Sequence, residues 1–368
     1  MAELTLTDLR HTFSNGHVGL HDVNLEIRDG EFVALVGPSG SGKTTLLRSL
    51  AGFIRPSSGE IRIDDRVVCS PRQWRSPEKR NLSMVFQDHA VWPHLSVFEN
   101  VAYPLKRQRV AKPELRSRVT EVLTQVGLEQ FADRKPAALS GGQRQRVALA
   151  RAIVANPRAL LLDEALSALD EPLRVRLRQE LVQLTHQKGL TAVHVTHDRT
   201  EALAVADRVL VLEGGRVIQD APPQQLLKNP ETRFVANFIS DASEVPGSWD
   251  GSRFTAASAG VTVPGSALAT TPGSVAASQS AVATLAPEDI TLVRPTNPDA
   301  NPGTNPGTNP AVVTAVLDGR FGADVTLEWA AGKLTAHTPH TDLEVGDRVE
   351  VRIDRAHVFL VDSEGSGK

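Results

Sequence analysis

Apolar positions along the first 239 residues follow two alternating patterns. Continuous apolar runs at residues 32–36 and 159–162 are typical of strands that are buried on both faces of a parallel sheet. Elsewhere apolar residues recur every three or four positions, as in residues 113–127, which predicts helices. Strands that alternate with helices predict an α/β domain with a parallel sheet at its core.

The pattern changes near Ser240, where helical periodicity stops and Gly, Pro, Ser, Thr and Ala dominate through residue 280. Short apolar segments follow, and in residues 349–353 apolar and charged positions alternate, so one strand face is buried and the other exposed. We interpret this part as a small antiparallel all-β barrel and expect two domains, 1–239 and 240–368. The low-complexity stretch at 297–310 predicts a loop within the second.

Charge divides the chain at the same boundary. Residues 1–239 carry 32 Lys and Arg against 27 Asp and Glu, whereas residues 240–368 carry 8 against 16. The net charge of +5 suits an anionic ligand, and the net charge of −8 disfavours a nucleic-acid-binding tail. The one cysteine, Cys69, excludes an intrachain disulfide framework. No signal-peptide pattern begins the chain and no apolar run approaches the roughly 18 residues of a membrane span, so we expect a soluble intracellular protein.

The predicted strand at residues 32–36 leads into Gly37-Pro38-Ser39-Gly40-Ser41-Gly42-Lys43-Thr44-Thr45, and a helical apolar pattern follows. Two glycines separated by four residues and followed by Lys-Thr, between a strand and a helix, form a phosphate-binding loop. Its backbone N–H groups close around phosphate oxygens, and the helix N-terminus adds a partial positive charge. We expect Lys43 to reach the β- and γ-phosphates of a nucleoside triphosphate and Thr44 to bind Mg²⁺.

Two further segments carry candidate chemistry. Asp163 and Glu164 end the apolar run at 159–162, and beside a phosphate loop one carboxylate can hold Mg²⁺ while its neighbour orients an attacking water. The segment Ser140-Gly141-Gly142-Gln143 opens a basic helix and matches a capping box, yet it also forms a second potential anion site. Two anion sites for one triphosphate suggest composite sites shared between two copies of the chain.

Together these motifs resemble the ATP-binding cassette ATPases. The phosphate loop, Gln87, Leu-Ser-Gly-Gly-Gln at 139–143, Asp163-Glu164, Ser-Ala-Leu-Asp at 167–170 and His197 stand in the order of that family, over residues 1 to about 239. Ala165 departs from the family's usual proline. The resemblance implies a P-loop nucleotide-binding domain and a head-to-tail homodimer that holds two ATP molecules, with Mg²⁺, at its interface.

The resemblance also implies roles for individual residues. The implied catalytic residues are Glu164 as the general base, His197, Gln87 and Lys43. The implied Mg²⁺ ligands are Thr44, Gln87 and Asp163. The implied nucleotide-binding residues are Phe13, Gly37, Pro38, Ser39, Gly40, Ser41, Gly42, Lys43, Thr44, Thr45, Ser140, Gly141, Gly142, Gln143 and Asp170. Among these, Phe13 lies where the family places an adenine-stacking aromatic residue, and Asp170 would bridge the two subunits.

The segments around Gln87 and His197 are similar to those of importer ATPases for maltodextrins, spermidine and ferric iron. Their C-terminal extension is an oligomer-binding-like barrel, and Pro287-Glu288-Asp289 resembles one of its recurring segments, with Ala286 in place of an arginine. The resemblance therefore implies an ATP-hydrolysing importer subunit on the cytoplasmic face of the plasma membrane. Its partners would be separate permease subunits and, indirectly, an external solute-binding protein. The Trp92-Pro93-His94 segment favours ferric iron or polyamine, with sugar as a further possibility.

The alternative is an ATPase of the same superfamily that acts on DNA or ribosomes. A chromosome-maintenance type would need a long heptad coiled coil between the phosphate loop and residues 139–143, which this spacing does not accommodate. A ribosome-associated type would normally carry two cassettes in one chain. A GTPase is disfavoured because no Asn-Lys-x-Asp motif is present, and a non-enzymatic module because Glu164 and His197 are both present. We therefore expect no nucleic-acid partner.

Overall fold

The computed structural model describes residues 3–88, 90–165, 171–258, 261–270, 278–294, 308–319, 322–339 and 342–361. The chain divides into two compact units, Met1–Pro223 and Gln224–Lys368. None of the described helices combines the length and the apolar composition that a membrane crossing requires. The boundary between residues 239 and 240, drawn from composition, stays a prediction.

The first unit contains every candidate catalytic and nucleotide-binding residue named above. Its described strands are β1 (Leu4–Thr12), β2 (Val18–Ile27), β3 (Phe32–Val36), β4 (Ser58–Ile63), β5 (Arg66–Cys69), β6 (Leu82–Val85), β7 (Ala159–Asp163), β8 (Thr191–Val195), β9 (Arg208–Glu213) and β10 (Arg216–Ala221). Its described helices are α1 (Lys43–Ala51), α2 (Val97–Arg107), α3 (Lys112–Gln125), α4 (Gly141–Ile153), α5 (Glu171–Lys188) and α6 (Arg199–Val205).

The described strands of this unit form two sheets. In the larger, the order is β10-β9-β3-β8-β7-β6, and every neighbouring pair is parallel except β10 with β9. In the smaller, β2-β1-β4-β5 pair antiparallel. Because the parallel strands share one direction, the residues that follow β3, β6, β7 and β8 all leave the sheet at the same edge.

The central strands are buried on both faces, as their apolar runs predict. Along β7, Leu160 and Leu162 lie in an apolar cluster with residues of α2, α3 and α4, whereas Ala159 and Leu161 lie in a second cluster with α1 and the antiparallel sheet. Successive side chains of a strand point to opposite faces, so one continuous apolar run serves both clusters. The predicted α/β class with a parallel core is confirmed.

Two helices of this unit, α2 and α6, and one strand, β10, escaped the sequence-based prediction. Helix α2 contains Pro104, but Ser96 caps it and closes a capping box with Glu99. Helix α6 spans seven residues and is capped by Asp198, whose side chain accepts from the Glu201 backbone N–H. Helix α6 is too short for apolar periodicity to reveal it. In α2, Val97, Val101 and Leu105 do recur at helical spacing, and only Pro104 speaks against a helix. The capping residues of both helices are visible in the sequence.

Among the described residues of the second unit, α-helices occur only at its start, and two short 3-10 helices lie at Gly265–Ala267 and Pro287–Asp289. Its described elements are α7 (Pro223–Lys228, which begins at the unit boundary), α8 (Arg233–Ser240), β11 (Ser243–Trp249), β12 (Phe254–Ala256), β13 (Leu268–Thr270), β14 (Gln279–Leu285), β15 (Ile290–Val293), β16 (Thr308–Gly319), β17 (Gly322–Trp329), β18 (Gly332–Thr338), β19 (Arg348–Ile353) and β20 (Ala356–Leu360). In the described part of the unit, the strands form one sheet in the order β12-β11-β14-β20-β13 and another in the order β15-β19-β16-β17-β18.

The all-β character predicted for this region is confirmed, with differences in detail. The short apolar segments of this region predict six strands, at 290–293, 312–317, 325–329, 334–337, 349–353 and 358–361, and these correspond to β15–β20. Strands β11–β14 were missed because small residues dominate there and give little apolar alternation. Strand β13 pairs with β20 in parallel, so the region is not purely antiparallel. The predicted loop at 297–310 requires correction at its end: Thr308 and Asn309 pair with Arg352 and Val351 of β19, and residues 297–307 lie outside the described ranges.

Candidate active site

The phosphate loop runs from the end of β3 to the start of α1 and is shaped by its glycines. Gly37 has a φ of 151°, and a Cβ there would collide with the backbone oxygen of Leu212. Gly42 has a φ of 102°, and a Cβ there would lie 2.5 Å from the backbone oxygen of Gly19. Gly40 faces open space on the same loop. Backbone therefore packs against the loop at Gly37 and Gly42, whereas the loop is open at Gly40.

Lys43 is folded back across this loop and is almost fully buried. Its Nζ donates to the backbone oxygens of Gly37 and Pro38, at 2.7 and 2.9 Å. Burial lowers the pKa of Lys43, and the negative charge of Glu164 opposes that shift. An ammonium group held at the loop by carbonyl dipoles is placed to exchange those contacts for phosphate oxygens, which are stronger partners for a cation.

Asp163, the last residue of β7, is buried beside α1. Arg48 Nη2 lies 3.4 Å from its Oδ2. Burial raises the pKa of Asp163, and Glu164 adds to that, while Arg48 and a hydrogen bond with Thr44 act in the opposite direction. Because the hydroxyl of Thr44 and the carboxylate of Asp163 meet here, the site offers the oxygen donors that Mg²⁺ prefers. Among the described residues, no group of three or more His, Cys, Asp and Glu side chains is arranged to hold a metal by itself.

Glu164 and His197 come together although they are distant in the sequence. His197 Nε2 lies 2.6 Å from Glu164 Oε1. Glu164 has a φ of 49°, in the left-handed region that side chains rarely adopt, and its backbone N–H donates to the Val195 oxygen at the end of β8, at 3.0 Å. A strained backbone of this kind persists where the surrounding structure requires it, and it often marks a functional position.

The start of α4 is a complete capping box. The Gln143 N–H donates to Ser140 Oγ at 3.3 Å, and the Ser140 N–H donates to Gln143 Oε1 at 2.9 Å. A Cβ at Gly141 would meet nothing within 4 Å, so the helix N-terminus is open on that side. The structural interpretation of this segment is therefore correct, and a role in binding an anion stays a prediction.

Comparison with known proteins places the chain in a family. A family model described as "ABC transporter" matches residues 20–167. The chain is 48% identical over 243 residues to the sn-glycerol-3-phosphate import ATP-binding protein UgpC of Rhizobium meliloti, which covers 66% of this chain and 68% of that protein. With the protein of the same name from Paracoccus denitrificans it is 40% identical over 367 residues, covering 98% of each chain. The chain belongs to the ABC transporter ATPases of the import type.

Two further relatives extend this result. The spermidine/putrescine import ATP-binding protein PotA of Oleidesulfovibrio alaskensis is 50% identical over 228 residues, which are 62% of this chain and 60% of that protein. A solved dimer of the ATP-binding cassette MJ0796 in a post-hydrolysis state with ADP and Pi matches with a TM-score of 0.54 and 36% identity, covering 60% of this chain and 98% of that one. The family resemblance, the P-loop fold and the ATP-hydrolysing activity predicted from the sequence are confirmed.

The remaining ABC motif residues are placed less completely. Gln87 lies two residues after the end of β6. Because Val85 of β6 pairs with Leu162 of β7, Gln87 lies at the sheet edge next to the end of β7, where Asp163 stands. Phe13 is 36% exposed and packs edge-on against His11 and parallel to His17. Its ring also lies against Gly19, whose backbone oxygen approaches Gly42, so Phe13 borders the phosphate loop. Asp170 lies outside the described residues, and the roles of all these residues stay predictions.

One residue of this site was not predicted from the sequence. Arg48 reaches Asp163 from α1, four residues after Thr44 and therefore one helical turn further along. A basic residue at that spacing from the phosphate loop was a usable signal, because α1 packs directly against β7. Its positive charge partly offsets the negative charge of Asp163.

Proposed function

We propose that this chain hydrolyses ATP as one of two identical subunits that drive solute import through a separate membrane permease. In each of two composite sites, one ATP with Mg²⁺ would lie between the phosphate loop of one copy and Ser140–Gln143 of the other. The observation that carries the proposal is the contact of Glu164 with His197, on the same sheet edge as Lys43, because it joins a carboxylate to a group that orients it.

The reaction follows from these residues. Glu164 accepts a proton from the water that attacks the γ-phosphorus, and the bond from that phosphorus to the ADP oxygen breaks. His197 holds the Glu164 carboxylate in place, and Lys43 faces the charge that develops on the phosphate oxygens. Thr44, Asp163 and Gln87 would hold Mg²⁺, which neutralises phosphate charge when bound. Gly141 and Gly142 of the second copy would complete the enclosure of the γ-phosphate.

The permease is proposed to dock on the segment that follows Gln87. Trp92 lies there with its ring 4.4 Å from that of Tyr103 and under the guanidinium of Arg151, and Asn100 hydrogen-bonds both its backbone N–H and its oxygen. Tyr103 is 40% exposed, so the aromatic pair presents an apolar edge on an otherwise fixed segment. Such an edge beside a catalytic residue suits a short helix of a membrane partner. The subunit would accordingly work on the cytoplasmic face of the membrane.

The solute is proposed by class. The relatives reported above are named for glycerol 3-phosphate and for spermidine/putrescine, and a trehalose import ATP-binding protein of Mycobacterium tuberculosis is 46% identical over 239 residues. The proposed solutes are therefore a polyamine, which the sequence favoured, a sugar, or a polyol phosphate. Ferric iron, also favoured from the sequence, has no such support in these relatives.

The test is solute uptake into vesicles that contain the permease and its binding protein, with labelled polyamine, sugar, glycerol phosphate and ferric iron compared. The Trp92→Ala variant should lose at least about tenfold in uptake while its basal ATP hydrolysis stays within about threefold of the parent, because only docking energy is removed. Trp74→Ala, at a partly exposed tryptophan elsewhere in the unit, is the matched control and should keep both activities. ATP hydrolysis that responds to DNA or ribosomes and not to the permease would contradict the proposal.

A further inference from the structure

Glu201 is a buried carboxylate that the proposed reaction does not use. It lies in the first turn of α6 and is 2% exposed. Its Oε1 is 3.4 Å from Nε2 of His194, which is equally buried on β8. Although burial raises the pKa of Glu201, His194 and Thr196 together hold it below its ordinary value. Burying a charged carboxylate costs desolvation free energy, which its contacts must offset. The contacts of Glu201 therefore indicate its structural role.

The hydrogen bonds of Glu201 involve the two residues that flank His197 in the sequence. The hydroxyl of Thr196 donates to Glu201 Oε2 at 2.7 Å, and the Asp198 N–H donates to that same hydroxyl oxygen at 3.0 Å. The Glu201 N–H in turn donates to Asp198 Oδ1 at 3.0 Å. Three hydrogen bonds therefore link the residue before His197, the residue after it and the first turn of α6 into a closed ring.

The half-exposed side chain of His197 does little to fix its own position. The imidazole is 51% exposed, yet its Nε2 must stay within 2.6 Å of Glu164 to hold the base. Glu164 is fixed from the same strand end, because its N–H donates to the Val195 oxygen. The end of β8 thus sets the backbone of Glu164 through Val195 and the backbone of His197 through Thr196.

We propose that Glu201, acting through the Thr196 hydroxyl, is a positioning residue that holds His197 in contact with the catalytic carboxylate. The inference rests on the proposed function and adds to it two residues, Glu201 and Thr196, that need not touch ATP. Its consequence is specific: removal of the Thr196 hydroxyl should impair turnover and leave ATP binding intact, because Lys43 and the loop glycines are not involved.

The test compares Thr196→Val, which keeps the shape and loses the hydroxyl, with Thr196→Ser, which keeps the hydroxyl. A displacement of a catalytic group by about 1 Å can lower the rate about 100-fold, so kcat of Thr196→Val should fall about 10- to 100-fold. KM for ATP should change by less than about twofold, and Thr196→Ser should restore kcat to within about threefold of the parent. Thr196→Ala carries the same prediction should the valine variant fail to fold.

A double variant separates positioning from general destabilisation. If Thr196 acts through His197, Thr196→Val combined with His197→Ala should hydrolyse ATP at the rate of His197→Ala alone. Parental kcat in Thr196→Val, or losses that multiply in the double variant, would overturn the inference. An active His197→Ala variant, or a parent protein without ATP hydrolysis, would instead overturn the proposed function.

Discussion

Helices α1 and α4 both begin where the proposed function requires an anion, and they begin differently. Helix α1 follows Gly42, a left-handed residue, and no side chain caps its N-terminus. Helix α4 follows Ser140, whose hydroxyl and backbone are both engaged by Gln143 in a capping box. An N-terminus without a side-chain cap leaves its N–H groups for a ligand, whereas a capped one is stable in the absence of a ligand.

The difference indicates which anion site is complete within one chain. The α1 site has its own cation, since Lys43 already lies across the loop. The α4 site has a satisfied cap and an open side at Gly141, and no acidic residue stands in its first turn. Helix α4 can therefore be folded in the isolated chain, and we propose that it meets a phosphate when a second copy brings one.

The largest expected contrast is in ATP binding by the isolated chain. Lys43→Met should weaken binding about 10- to 100-fold, because a charge-assisted hydrogen bond contributes about 1.5–3 kcal/mol. Ser140→Arg should leave this affinity within about twofold of the parent, because its site would act on the partner's nucleotide. The measurement is titration calorimetry with MgATP at protein concentrations at which the parent is monomeric. Equal losses in the two variants would mean that both sites serve the same chain.

A smaller effect separates the two roles of Ser140. Ser140→Ala should lower the free energy of unfolding by about 1 kcal/mol, because the cap is lost, whereas Ser140→Asp should retain stability, because aspartate caps equally well. The aspartate should nevertheless prevent ATP-dependent dimerisation, since its charge would face the partner's γ-phosphate. Urea unfolding and light scattering with MgATP measure the two quantities. A stable, freely dimerising Ser140→Asp variant would leave Ser140 with a capping role alone.

Features set by a local sequence pattern could be predicted, whereas features set by tertiary contacts could not. The phosphate loop, the capping box and the apolar run of β7 are local patterns, and each was recovered within a residue or two. The contact of Glu164 with His197 could not be derived locally, because it depends on the register that pairs Asp163 with Val195. The apolar run of β7 indicated Glu164 and the family resemblance indicated His197, but neither gave the distance between them or the left-handed backbone of Glu164.

Residues whose contribution depends on tertiary contacts were missed for the same reason. The local sequence around Glu201 gives no sign that its carboxylate is buried, and only the fold places it in the core beside His194. Strand β14 was missed because its Ala-rich sequence has weak alternation, and its pairing with β11 and β20 establishes it. The role of Glu201 and the existence of β14 depend on burial and on strand pairing rather than on residue type.

The central claim is that two copies share each ATP and that Glu164 is the base, and one measurement tests it most directly. Size-exclusion chromatography of Glu164→Gln with and without MgATP should show a stable dimer only with nucleotide. Glutamine keeps the shape of glutamate but cannot accept the proton, and loss of general-base assistance typically slows a reaction about 10²- to 10⁴-fold. Adding Ser140→Arg should abolish the dimer while ATP binding persists. A Glu164→Gln variant that stays monomeric with ATP bound, or that hydrolyses ATP at the parental rate, would contradict the account.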